Sequence, residues 1–379
     1  MPKIRKLYML IFVLVFLTGC VEKNIIEDLG IVTVFGFDKD DEKGLTKATT
    51  VIFQFNPDIS EASQIIESEG STFREIKKNA NKKSAYKIVA GQLRTVLFGQ
   101  SVAEEGVFHL LDTLERDASI SDKLYVTMTD MSASEVLSAS NYEQAPNIGT
   151  YIQELLDTAI DEEEMMSSTL HEFLRDYTMA GIDPMIPILG VENGKVYIKE
   201  MALFQNDRYV GEFNLDEMFY AQTLMKRIGD GVIEVQLPME KFKKHLKPHE
   251  KIESETFQVV LNQLKSHSDI KLTDSQSLSY DIQLKIKGRL TEMSERVSLN
   301  DEKVVRLLED EICTQIENEL YKVIAKTQEL KTDVFGFGRI YNSKMRNEQL
   351  TSDEWREIYP EINVSISVDT TVNRYGIIQ

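Results

Sequence analysis

The residues best placed to do chemistry stand at the start of the chain. Lys3, Arg5 and Lys6 precede an unbroken apolar run from Leu7 to Leu17, and Thr18-Gly19 then leads to Cys20. A cationic start, an apolar run and small residues before a cleavage point make a secretory signal peptide, and the cysteine makes its end a lipobox. A thiol placed there takes a diacylglycerol. Cleavage before it needs small residues, which Gly19 and Thr18 supply, and leaves Cys20 first in the mature chain as an S-diacylglycerol, N-palmitoyl cysteine. At roughly 0.8 kcal/mol per buried CH₂ one acyl chain holds marginally, whereas two hold stably. The 11-residue apolar run makes about 16 Å of helix against a ~30 Å hydrocarbon core, so residues 1 to 19 target the chain and do not span the membrane. An ordinary cleaved signal with a coincidental cysteine is the lesser reading.

Other chemical candidates are weaker. Only His245 and His249 of the five histidines have the i, i+4 spacing that could place two metal ligands on one helical face. Pro248 breaks such a helix, no His-Glu-x-x-His order is present, and Lys243, Lys244, Lys247 and Lys251 crowd the pair. His109, His171 and His267 are isolated. Asp161-Glu162-Glu163-Glu164 lacks the glycine turn and spacing of a calcium loop and reads as a solvated face. Gly336-Phe337-Gly338 lacks the third glycine and the Gly-Lys-Ser/Thr ending of a phosphate loop. No nucleophile elbow occurs, and Cys313 sits beside an apolar helical stripe as a small core residue. The sequence therefore argues for no catalysis, no metal and no cofactor beyond the lipid on Cys20.

Positioning elements follow from composition and pattern. The 379 residues leave 360 after the signal, too many for one ordinary core, so two or three domains are expected. Loss of Lys3, Arg5 and Lys6 takes the formal net charge from −19 to −22, which repels phosphate and excludes nucleic acid as a partner. With Cys20 lipidated, Cys313 has no disulfide partner, and the fold relies on its core.

Leu29 to Phe37 reads as a buried strand, joined by a turn over Lys39 to Gly44 to a second strand over Thr49 to Phe55. Asn56 to Ser71 reads as a polar, mobile stretch. Capping-box spacings at Thr72 to Glu75, Ser101 to Glu104 and Ser132 to Glu135 predict helix starts, alternating with strands near Leu93 to Phe98 and Lys123 to Thr129. This α/β pattern predicts a domain over 20–188. Asp183-Pro184 and Ile186-Pro187 then give an extended connector. Asn193-Gly194 and Asn206-Asp207 make turns in a β-meander, and Asn214 to Glu217 caps a helix to about Arg227, ended by Gly229 and Gly231. That predicts a small second domain, 189–250. A third, 251–379, has a strand over Ser279 to Leu290 and a helix over Asn300 to Gln328 with Val305, Leu308, Ile312, Ile316, Leu320 and Val323 on one face. It closes on an alternating strand from Ile362 to Asp369.

Four blocks carry a resemblance. They are Leu17 to Asp38, with Glu27-Asp28-Leu29-Gly30-Ile31-Val32-Thr33-Val34-Phe35-Gly36-Phe37-Asp38; Val96 to Gly99 through Gly106 to Asp117; Pro184 to Pro187 with Ala202 to Gly211; and Thr332 to Arg339 with Trp355 and Tyr359-Pro360. Together they make a chain that resembles, over nearly its whole length, the Ger(x)C family of spore germination lipoproteins, the third subunits of GerA-type nutrient germinant receptors. Two positions depart: Val21-Glu22 stands where the family usually has Trp-Asp, and Val334 where it usually has Pro.

The resemblance implies a non-enzymatic protein of about three mixed α/β domains, α+β in class. It implies lipid anchoring on the outer face of the spore inner membrane beside a polytopic A-type subunit and a transporter-like B-type subunit. The rival reading is a solute-binding lipoprotein feeding a transporter, against which no matched pair of large α/β lobes is visible.

Overall fold

Runs of β-branched and aromatic residues set the strands, and in a computed structural model they build two sheets. The structure describes residues 26–40, 42–55, 63–142, 145–225, 228–246, 254–345 and 348–373. The lipobox and Cys20 lie outside the described residues, as does His249.

The chain opens with β1 (Leu29–Asp40), β2 (Leu45–Phe53) and β3 (Ser63–Gly70), all antiparallel neighbours. A bulge between Val32 and Val34 shifts the alternation of β1, so Val32, Phe35 and Phe37 share one face while Val34 turns to the other. Helix α1 (Phe73–Lys83) starts at Thr72, whose side chain accepts from Glu75 N–H, and ends before β4 (Lys87–Val89). Then come β5 (Thr95–Gly99), α2 (Gln100–Glu105), α3 (Phe108–Glu115), β6 (Tyr125–Thr129), α4 (Ala133–Leu137), α5 (Ile148–Asp161) and α6 (Leu170–Thr178). The meander β7 (Met185–Glu192), β8 (Lys195–Gln205) and β9 (Arg208–Phe213) completes a nine-stranded mixed sheet. Its strand order is β3-β2-β1-β5-β6-β7-β8-β9, with β4 also on β1.

The second sheet follows α7 (Leu215–Met225). Its strands β10 (Gly231–Pro238), β11 (Thr256–Asp274) and β12 (Ser279–Met293) are antiparallel neighbours. The chain then runs through α8 (Glu302–Glu329), α9 (Phe337–Lys344) and α10 (Ser352–Ile358) to β13 (Asn363–Asn373), which lies parallel to β12.

Two apolar cores result. One face of the first sheet, with Phe35, Phe98, Val126, Ile186 and Phe204, packs under α1, α2, α3 and α6. The other face, with Val34, Leu97, Leu189 and Leu203, packs against α4, α5 and α7 and runs on without a break into the second sheet and α8. Leu308, Ile312, Ile316 and Leu320 of α8 are fully buried there, each contributing roughly 1.5–3 kcal/mol of gross burial. Helix α8 also covers the outer edge of β13. Glu309, Glu317 and Tyr321 accept the backbone N–H groups of Val372, Val368 and Ile366 at 2.8, 2.9 and 3.1 Å, and Cys313 lies against Thr370 in the same row. Four-residue helical steps thus match two-residue strand steps, about 6 Å against about 6.7 Å, and close an edge that would otherwise present unpaired amides.

The fold is mixed α+β and multi-domain, but the chain does not part where the pattern suggested. The expected boundary at 188 to 189 falls inside β7, and the meander assigned to a unit over 189–250 is the edge of the first sheet. Pro187 sits within β7, opposite Met201, so the expected connector is strand. Part of the stretch read as polar and mobile is β3, an edge strand whose buried residues are only Ile66, Ser68 and Gly70. Ser101 does not cap α2, which begins at Gln100 after Gly99.

Candidate functional site

The segment after α8 is where the two sheets are tied together. Lys331 adopts a left-handed φ of 51°, which ends the helix, and Thr332 then donates its hydroxyl to the Phe204 carbonyl of β8 at 2.6 Å. Asp333 follows, fully buried, and its carboxylate gathers four donors. Gly336 N–H and Phe337 N–H reach Oδ1 at 2.8 and 3.2 Å, while Gly338 N–H and Trp355 Nε1–H reach Oδ2 at 2.8 and 2.9 Å. Gly336, at φ 77°, turns the backbone so that successive amides point inward.

Asp183 answers from the other side. Its N–H donates to the Asp333 carbonyl at 2.9 Å, and its Oδ2 accepts the Asp333 N–H at 3.0 Å. Its Oδ1 accepts Asn206 N–H at 2.9 Å and Arg356 Nη2 at 3.4 Å. Arg356 Nη2 also donates to Asn206 Oδ1 at 2.9 Å, and Nη1 to Asp353 at 2.9 Å. Burial pushes the Asp333 carboxyl up to about 7, with the Asp183 charge adding to the rise and the surrounding N–H donors opposing it. Burial also raises Asp183, against the pull of Asn206 N–H, Asp333 N–H and Arg356.

An aromatic shell excludes water. Phe337 meets Tyr280 edge-on at 5.0 Å, and Trp355 lies between Tyr341 and Tyr359 at 5.9 and 6.1 Å. Tyr280 donates to the Phe337 carbonyl at 3.0 Å, and the Tyr359 and Thr327 hydroxyls pair at 2.7 Å. Two glycines allow the backbones to touch. A Cβ on Gly181 (φ 83°) would sit 2.3 Å from Gly338 C, and one on Gly338 would sit 2.6 Å from Gly181 Cα and from the Trp355 ring. Arg339 N–H crosses the same gap to the Gly181 carbonyl at 2.9 Å.

Two smaller junctions repeat this pattern. Asp207, in the β8–β9 turn, accepts Val107 N–H on its carbonyl at 3.0 Å and Phe108 N–H on its carboxylate at 3.1 Å, fastening the turn to the start of α3. Asp38 at the end of β1 accepts Ala133 and Ser134 N–H at 2.8 and 3.1 Å, fastening β1 to α4; its carboxyl is raised by burial. The carboxylates at all three junctions accept backbone N–H groups, an arrangement that fixes elements relative to one another.

The remaining sequence candidates are dispersed. His245 is in a short turn, His109 is on α3, His171 on α6 and His267 on β11. Among the described residues no group of three or more His, Cys, Asp or Glu is placed to hold a metal ion. Glu163 does more than stand in a solvated face: its carboxylate accepts Gly229 N–H at 2.8 Å and Asp230 N–H at 3.2 Å, joining the end of α5 to the entry of β10. Cys313 is half-buried, and burial pushes its thiol up, away from thiolate chemistry. Phe335 and Phe337 pack in the core; of the neighbouring glycines only Gly336 uses a positive φ, and Gly338 serves by lacking a side chain. Sequence reasoning does not mark Asp183 or Arg356 as a site residue. The signal is partly there, because Asp183 precedes the Pro184 block and Arg356 follows Trp355.

Comparisons with known proteins agree over almost the full length. Residues 22–191 match the spore germination protein N-terminal domain, and residues 199–376 match the spore germination B3/GerAC-like C-terminal domain. The chain is 23% identical to spore germination protein GerQC of Bacillus cereus over 364 residues, covering 96% of each chain. It is 21% identical to the putative spore germination protein YfkR of Bacillus subtilis, covering 99% of this chain and 97% of the relative. It is likewise 21% identical to spore germination protein KC of Bacillus subtilis, covering 97% and 95%. In fold it is similar to the crystal structure of the GerBC protein, with a TM-score of 0.50 at 15% identity, covering 89% of this chain and 96% of that one.

Proposed function

The chain belongs to the Ger(x)C family of spore germination proteins, and from that premise we propose that it is the lipid-anchored, non-catalytic third subunit of a nutrient germinant receptor. Cys20 carries the diacylglycerol and the N-acyl chain. The body stands on the outer face of the spore inner membrane, where it docks a polytopic A-type subunit and a transporter-like B-type subunit and is needed for their assembly.

The observation that carries this reading is the placement of the four sequence blocks. Asp38, Gly106, Asp207, Asp333, Gly338 and Trp355 all serve contacts between elements of the chain, with their polar atoms turned inward. A protein that keeps these positions for internal bracing supplies a rigid body whose outer faces are left to partners. Attachment by lipid fits β1 beginning at Leu29, nine positions after Cys20, and fits the finding that no described helix is long and apolar enough to cross a membrane.

Affinity capture of a tagged copy from detergent-solubilised spore membranes, with mass spectrometry of what is retained, tests the assembly role. Recovery of a polytopic and a transporter-like subunit is expected; recovery of a permease with its ATPase would favour the solute-binding rival. Cys20→Ala is expected to release the protein from the inner-membrane fraction, and an unchanged fraction would sink the anchoring.

A further inference from the structure

We propose that the outer edge of β10 is a docking site for an extended, basic segment of a partner protein, bound by addition of a strand to the second sheet. This deepens the receptor-subunit reading and rests on it for the identity of the partner.

The edge is open and its backbone direction is fixed. Met239 N–H donates to the Glu255 carbonyl, and Gln258, which lies opposite Gln236, exchanges hydrogen bonds with Ser294 on the far side of β11. Alternation along an antiparallel pair then turns the N–H and C=O groups of Glu234 and Gln236 away from β11. Pro238, which has no N–H to offer, stands at the next outward position. Among the described residues no backbone or side-chain group takes up those outward amides. β13 shows the contrast, since α8 side chains fill its edge.

A groove of about 910 Å³ runs beside this strand, lined by every residue from Val232 to Gln236. Side chains of consecutive strand residues point to opposite faces, so a groove touching all five follows the edge. Five residues span roughly 17 Å, the reach of a short added strand. Apolar anchor points stand along it: Val232 is 57% exposed and Leu215 43%, with Phe219 and Ile198 behind them.

Charge selects the occupant. Glu164, Asp216 and Glu234 are exposed carboxylates in the lining, where no Lys, Arg or His appears; Glu319 also lines it but is paired with Lys322. An incoming strand that places Lys or Arg opposite Glu234 and apolar residues on its other face, beside Ile233 and Val235, matches the charge and the apolar part of the lining. A second copy of this chain does not, because two such edges meeting would set Glu234 and its acidic neighbours against themselves.

The test uses the purified full-length protein in detergent and an acetylated, amidated peptide, Arg-Val-Lys-Val-Arg-Val-Lys. Fluorescence anisotropy should show it binding at least about tenfold more tightly than its Glu-for-Arg/Lys counterpart. The same margin is expected over a version N-methylated at alternate amides, which keeps the charge but cannot pair as a strand. Hydrogen exchange should slow at the Glu234 and Gln236 amides and stay unchanged at Ile233 and Val235. Gln236→Pro, which removes an outward N–H as Pro238 already does, and Glu234→Lys should each weaken binding about tenfold. Equal binding of the N-methylated peptide, or no slowing at Glu234 and Gln236, would overturn the proposal. Neither result bears on the receptor reading, which stands or falls separately on the subunits captured from spore membranes.

Discussion

Three alanine substitutions at the buried junction separate backbone strain from close approach. Gly336 has φ 77° but no atom nearer than 3.4 Å to the position of a Cβ, so Gly336→Ala should cost only the left-handed conformation, about 1–2 kcal/mol. Gly338 has no positive φ, but its Cβ would meet Gly181 and the Trp355 ring at 2.6 Å, an overpacking cost of about 1–3 kcal/mol. Gly181 combines both, with φ 83° and a 2.3 Å approach to backbone, so Gly181→Ala should cost roughly 2–5 kcal/mol. The chain contains one tryptophan, Trp355, which lies against this contact, so its fluorescence in urea titrations reads the junction directly. A Gly181→Ala/Gly338→Ala double variant should be non-additive by at least about 0.5 kcal/mol, because both Cβ atoms compete for one gap. If Gly181→Ala matched Gly336→Ala within about 0.5 kcal/mol, or the pair were additive, the rigid backbone contact would be refuted.

Asp333 has a folded-state carboxyl raised to about 7 from an ordinary 3.8, so between those values the native state holds more protons than the unfolded state, and stability falls as pH rises. The limit is about 1.4 kcal/mol per pH unit for one proton, and Asp333→Asn should make the slope less negative across pH 4 to 7, read from chemical denaturation at each pH. Thr332→Val removes a 2.6 Å buried bond to Phe204 and leaves that carbonyl short of a donor, for an expected loss of about 1–3 kcal/mol by the same titration. Glu317→Leu uncovers the Val368 N–H while keeping apolar bulk on α8. Hydrogen exchange at Val368 should quicken while Ile282, across the sheet on β12, keeps its protection.

Much of the scaffold is legible in the sequence because its signals are local. The apolar stripe of α8, the alternation of β13 and the Asn193-Gly194 turn each state their structure within a few residues, and all three lie where expected. The reciprocal cap of Ser132 and Glu135 is present too, whereas unexpected ones appear at Thr169 with Glu172 and at Thr351 with Glu354. What stays hidden is non-local. Strand β11 runs 19 residues through Ser266, His267, Ser268 and Asp269, whose polarity hides the alternation of Phe257, Val259, Leu261 and Leu264. Strand β10 is concealed because Gly229 and Gly231 read as a helix stop. The site is the least readable part: Asp183 and Asp333 are 150 positions apart, and neither carries a sign of its partner. Nothing in the order of residues says that Gly181 and Gly338 share one gap.

The parallel pairing of β12 with β13 has a kinetic side. Ser279 pairs with Asn363, so the first rung of an 11-rung ladder closes a loop of 84 positions, and α8 with the Asp333 and Trp355 side of the buried junction lies inside that loop. Loop closure of this length must precede the reward of pairing, which makes this the slow, high-contact-order step of folding. Synthesis from the N-terminus delivers the required strand last. Until it arrives, β12 offers an exposed, alternating apolar edge to any other unfinished chain. Truncations that reach into β13 should therefore act first on yield and aggregation, before any receptor property can be measured.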